Sequence, residues 1–97
     1  MKVHWTNLAI AHLTDIHEYI ARTSEQYALR MVDRLTSRSQ QIGAFPYSGR
    51  IVPEKNDPNV RELFESKYRI IYRIKPDQID VLAVIHGARE WPWGEGV

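Results

Sequence analysis

Apolar residues recur along the chain with two different periods, and the change of period divides it. Ala9, Leu13, Ile16 and Ile20 are spaced four, three and four residues apart, which is one stripe on a helix. His12, Asp15, Glu18 and Arg22 fall off that stripe. The spacing predicts a helix from about Leu8 to Arg22, with Asn7 offered as its N-cap. Thr23 with Gln26 three residues on fits a capping box that restarts the chain as a second helix. Ala28, Met31, Val32, Leu35 and Ile42 make the second stripe, and Gly43 stands where a left-handed residue would close it. Arg30, Arg34 and Arg38 recur on another side and read as a solvated face. With almost no linker between them, the two helices should form an antiparallel hairpin.

The rest of the chain reads as strands and turns. Lys2 to Thr6 is a plausible first strand, with β-branched and aromatic members. Residues 44–59 hold Phe45-Pro46, Ser48-Gly49-Arg50, Pro53 and Asp57-Pro58-Asn59, a density of Pro and Gly that predicts a long loop. A short extended piece around Ile51-Val52 fits within it. Val60 to Phe64 is the next strand. In Lys67 to Ile74, Tyr68, Ile70, Tyr72 and Ile74 alternate with Lys67, Arg69, Ile71 and Arg73. One face must meet the helices, and the other is expected to carry three cations around one Ile. Ile79 to His86 is nearly all apolar, as suits a strand covered on both faces. The prediction is a single α+β domain over residues 1–97. An N-terminal strand and an antiparallel helical hairpin pack on a mostly antiparallel sheet of about four strands, in the order β-α-α-β-β-β.

Composition narrows the chemistry. Hydrophobic residues at 43% and charged residues at 26% are ordinary for a folded domain and exclude a disordered chain. No apolar run approaches the roughly 18 residues of a membrane span, and Met1 to Trp5 has no signal-peptide apolar core, so a cytoplasmic protein is expected. There is no cysteine, which removes disulfides, thiolate metal sites and thiol nucleophiles together. His12, Asp15 and His17 crowd one helix without the spacing of a metal motif, so no metal and no cofactor are expected. The formal net charge is only +1, whereas binding to nucleic-acid backbone draws on a clear basic excess. Arg outnumbers Lys, which favours planar, specific ionic contacts.

Several short pieces resemble the toxins of the RelE/ParE superfamily, the poison half of bacterial type II toxin–antitoxin pairs. They are Trp5, the run Ala11 to Ala21, Ala28, Pro46-Tyr47-Ser48-Gly49-Arg50, Val60-Arg61-Glu62-Leu63, Tyr68 to Ile74, and Val84-Ile85-His86-Gly87-Ala88-Arg89. In this order and at these distances they form the series "P-x-x-G-R … R-E-L … Y-R-I-x-Y … H-G-A-R". The resemblance implies the fold already read from periodicity. It also implies a cognate antitoxin as protein partner in a hetero-oligomer, with any sequence-specific DNA binding left to the antitoxin. One branch of the superfamily consists of ribosome-dependent mRNA endoribonucleases. The ParE-like branch, favoured for this chain, poisons DNA gyrase. A third possibility is an inactive homologue that only binds its antitoxin.

The branches ask different things of the same residues. RNA cleavage needs a base for the 2′-hydroxyl, an acid for the leaving oxygen and cations for the phosphorane. His86 is the candidate acid or base, Arg61, Arg69 and Arg89 the charge stabilisers, and Glu54 a further possible base. A ParE-like toxin would instead use Arg50, Arg69, Arg73, Arg89, Trp91 and Trp93 as contacts to target or antitoxin. The tail offers Trp91 and Trp93 where the ribonuclease branch often has an aromatic hydroxyl or imidazole. Indole cannot trade protons at neutral pH, which favours the ParE-like branch.

Overall fold

The computed structural model describes residues 1–89. Strand β1 (Lys2–Trp5) leads into helices α1 (Asn7–Ala21) and α2 (Glu25–Ala44), followed by a 3-10 turn at Pro46–Ser48. Strands β2 (Arg50–Ile51), β3 (Val60–Glu65), β4 (Tyr68–Ile74) and β5 (Gln78–His86) complete the described chain. They form one sheet in the order β1-β5-β4-β3-β2. β1 runs parallel to β5, and the other pairs are antiparallel. The predicted α+β order is present, with the two-residue β2 as a fifth strand at the edge. Among the described residues no helix is long and apolar enough to cross a membrane.

The helix ends differ from the expectation by a residue or two. Thr6, not Asn7, caps α1: its hydroxyl accepts from Ala9 N–H and donates to Val81 O, so one side chain caps the helix and ties it to β5. Ser24, not Thr23, caps α2 by accepting from Tyr27 N–H. Gly43 does not end that helix; it lies inside it, buried. Its smallness is needed because a Cβ there would stand 2.6 Å from Met1 O and 2.9 Å from a Val3 methyl. Glycine here permits close approach rather than a left-handed turn.

The two apolar stripes meet the sheet as their period requires. Ala9, Ile16, Met31, Leu35 and Ile42 pack with Ile70, Tyr72, Ile79, Val81 and Val84 in the main core. Trp5 extends this core, and its indole N–H donates to the buried Ser39 hydroxyl at 3.1 Å, joining β1 to α2. A smaller cluster of Val52, Val60, Ile71, Ala83 and Ile85 occupies the opposite face. The sheet is therefore apolar on both sides, as the run in β5 predicted. One irregularity makes this possible. Ile71 faces Ala83 while Tyr72 faces Val81, so Leu82 is the extra residue of a bulge. The bulge reverses the alternation along β5 and turns Val84 and His86 toward the helix side.

Candidate functional site

The Pro46-to-Arg50 segment is built around one phenol. Tyr72 is fully buried in the main core, and its hydroxyl donates to Pro46 O at 2.7 Å and accepts from Gly49 N–H at 3.1 Å. Burial raises its pKa, with smaller opposing effects from Gly49, Arg61 and Ser48, so the phenol stays neutral. Arg61 donates to Gly49 O and Pro58 O, both at 2.9 Å, and its guanidinium lies 4.9 Å from the Tyr47 ring centroid. The Pro, Gly and Arg of this motif thus wrap a loop onto the sheet.

Arg50 then continues into an ion network on the face away from the helices. Glu62 is buried and accepts from Arg50 and from Arg69. Arg69 is 5% exposed and also donates through both terminal nitrogens to the Glu54 carboxylate at 3.2 Å. A further bond at 2.9 Å reaches Arg89 O. Burial alone would lower the Arg69 pKa, but the bonds to Glu54 and Glu62 more than offset it and hold the guanidinium charged. The expected open cationic face on β4 is not what forms. Arg69 is spent inside the molecule, and Arg73 makes a long contact to Asp57, at 3.6 Å.

His86 is elsewhere. It is exposed at the end of β5, packs edge-on against the Tyr68 ring at 6.2 Å, and accepts from Ala88 N–H through Nδ1. With His12, Tyr19, Tyr68 and Arg89 it lines a groove at the open end of the interface between α1 and the sheet. His12 also uses Nδ1 as an acceptor, from Val84 N–H at 3.3 Å. Burial, then the charge of Arg89, lowers the His12 pKa against a smaller opposing effect of Asp15, so the ring is held neutral.

The residues expected to cooperate are therefore not brought together. His86 and Arg69 lie on opposite faces of the sheet. Arg61 is opposite Tyr72 in register, and His86 opposite Tyr68, four residues along the same strand and so roughly 13 Å away. Arg50 and Arg69 do meet, through Glu62. Arg89 joins both regions, its carbonyl held by Arg69 and its side chain lining the groove with His86. Trp91 and Trp93 lie outside the described residues. No three His, Asp or Glu side chains converge as metal ligands among the described residues. The sequence reading missed His12 and Tyr19 as groove residues. Their seven-residue spacing on α1 was the available signal, since it puts both on one side of the helix, beside the apolar stripe.

A helical hairpin laid on one face of a five-stranded sheet is the fold of a chain in the chromosomal ParDE toxin–antitoxin system of P. aeruginosa. The two superpose with a TM-score of 0.73 at 24% identity, covering 89% of this chain and 95% of that one. The sequence goes further. A family model described as the ParE toxin of the type II toxin–antitoxin system parDE matches residues 3–91, and the chain belongs to that family. It is 32% identical over 93 residues to Y4kP of Sinorhizobium fredii, a protein assigned as a toxin provisionally; the match spans 94% of this chain and 93% of that one. It is also 32% identical over 89 residues to the toxin RelE2 of Caulobacter vibrioides, across 91% of this chain and 97% of the relative.

Proposed function

We propose that this toxin arrests growth by binding and poisoning DNA gyrase, and that a cognate antitoxin neutralises it by covering its surface. The observation that carries this reading is the fate of the arginines. Metal-free RNA cleavage needs an acid, a base and cations around one phosphate. Here Arg50 and Arg69 are committed to Glu62 and Glu54 on the face away from His86, and Arg61 is committed to loop carbonyls some four residues along the strand from it. Such an arrangement supports a protein that acts through its shape and contacts. Arg73 and Arg89, which keep partly or fully exposed side chains, are the contacts we assign to target or antitoxin, together with Trp91 and Trp93.

The test is a supercoiling assay with purified gyrase and excess free toxin. Inhibition with accumulation of cleaved DNA is expected; unchanged supercoiling would overturn the reading. One observation favours the ribonuclease alternative, namely that His86, His12 and Arg89 share a groove. In that case His86→Gln would abolish mRNA cleavage in a ribosome-containing translation reaction while the protein stayed folded. We expect no such cleavage from the native chain.

A further inference from the structure

The chain leaves β5 at His86 and is tied down at each step of the turn that follows. Gly87 N–H donates to Lys67 O at 2.7 Å, Ala88 N–H to His86 Nδ1 at 3.2 Å, and Arg89 N–H to His86 O at 2.9 Å. None of these three bonds has a charged donor. Gly87 brings no side chain to wedge the turn and has no room for one, since a Cβ there would stand 3.1 Å from the Phe64 ring and 3.2 Å from Lys67 O. Ordering a glycine-bearing turn costs about as much as such bonds return. A fourth bond is of another kind. Arg69, on the face of the sheet away from the helices, donates to Arg89 O at 2.9 Å. A charged donor makes this bond stronger than the other three. The donor is itself fixed, because Arg69 is buried and bonded to Glu62 and Glu54.

The two ends of Arg89 therefore serve different sides of the sheet. Its carbonyl is held from the face away from the helices, while its side chain lines the groove with His12, Asp15 and His86. A long, rotamer-rich side chain is placed no better than the backbone that carries it. We infer that Arg69 is a positioning residue: by fixing the Arg89 carbonyl it sets the Arg89 guanidinium beside His12, in the groove on the opposite side of the sheet. Glu54 belongs to the same device, so the loop of residues 44–59 and the groove are coupled through one buried guanidinium. An arginine first expected as a contact thus acts on the groove without touching a partner. On the preceding reading Arg89 meets target or antitoxin, and the consequence for toxicity rests on that reading; the positioning itself does not.

His12 reports where Arg89 stands, because the charge of Arg89, after burial, helps to lower its pKa. The experiment is an NMR pH titration of the His12 imidazole nitrogens in the ¹⁵N-labelled native chain, Arg89→Ala, Arg69→Lys and the double variant. The other titratable groups lining the groove, Asp15, Tyr19, Tyr68 and His86, are the same in all four. Arg89→Ala should raise the His12 pKa by removing the charge, and Arg69→Lys should raise it at least half as far by releasing it. The double variant should match Arg89→Ala. Either single variant titrating as the native chain does would overturn the inference. So would shifts that add in the double variant, which is what a general loosening around His12 produces. If Arg69→Lys does not fold, Arg69→Met with Glu62→Gln removes the anchor without leaving a buried charge. The native chain supplies an independent check: the ¹⁵N relaxation of the Arg89 amide should match that of β5, and values typical of a frayed end would also overturn the inference. Growth arrest on induction is followed in parallel. If the His12 pattern holds while Arg89→Ala arrests growth as the native chain does, Arg69 still positions Arg89 and the contact reading is what fails.

Discussion

At the scale of single residues, Arg69 and His12 carry the most specific consequences. Glu62 is a buried carboxylate whose partners are Arg69 and the largely exposed Arg50. Removing Arg69 leaves that charge underneath with a single solvent-facing partner, a loss on the order of 3–5 kcal/mol. Urea unfolding of Arg69→Ala should show it, and Arg69→Lys should recover little, because an ammonium cannot span Glu62, Glu54 and Arg89 O together. His12 gives a pH signature. Its folded pKa lies below the ordinary imidazole value of 6.5, so both states are neutral above that pH and the Val84 bond contributes in full. As pH falls through 6.5 the unfolded state takes the proton first, and stability drops until the folded pKa is passed. The groups facing the ring are Asp15 on its own helix and Tyr68, His86 and Arg89 across the groove. His12→Gln keeps an acceptor for Val84 N–H without the titration. Its stability should therefore fall less than the parent's between about pH 7 and pH 5, measured by thermal or urea unfolding at each pH; identical slopes would refute the assignment. The His12 role and the bond from Arg69 to Glu54 were not legible beforehand. An arginine alternating with isoleucine on a strand looks solvent-facing until its carboxylates are known, and those come from a neighbouring strand and a distant loop.

At the scale of elements, the loop of residues 44–59 is where local pattern gives out. Periodicity carried both helices and strands β3 to β5, because each buries one side against another element and the apolar spacing records it. The loop has no period to read. Its path is set by the Tyr72 hydroxyl, which lies more than twenty residues away from Pro46 and Gly49 in sequence. The "P-x-x-G-R" residues were recognisable through family resemblance, yet their physical purpose is only visible in three dimensions. Gly49 is the point most exposed to test. A Cβ there would stand 2.5 Å from Tyr72 Oη and 2.6 Å from Glu62 O, so Gly49→Ala must move either a buried ring or a strand. Overpacking of this kind costs about 1–3 kcal/mol. Tyr72→Phe should cost roughly 1–2 kcal/mol by leaving Gly49 N–H and Pro46 O without their shared partner. Because both changes strike one contact, the double variant should lose less than the sum, which a double-mutant cycle reads directly.

At the scale of the whole molecule, the sheet separates two kinds of cohesion. On one side the helical hairpin packs a continuous apolar core, the part expected to open only with global unfolding. On the other, a small apolar cluster is closed by the ion network, and Arg69 alone bonds β3, the loop at Glu54 and the chain at Arg89. Such a face can open without the first. The loop offers a readout, since Lys55 sits in a tight turn whose next residue, Asn56, has a positive φ of 52°. Trypsin should cut after Lys55 slowly in the parent and much faster in Arg69→Ala. Arg34→Ala, which loses only the ion pair to Glu65 at the helix side, should be cut at nearly the parent rate. The variant is also less stable globally, so cleavage must be compared with hydrogen exchange in α2 under the same conditions. If cleavage rises by a larger factor than α2 exchange, the outer face opens as its own unit and Arg69 is its latch. If both rise by one factor, the sheet unfolds as a whole and the two faces are a single cooperative body. The first outcome is expected, because the bonds that Arg69 makes all lie on the side of the sheet away from the helices.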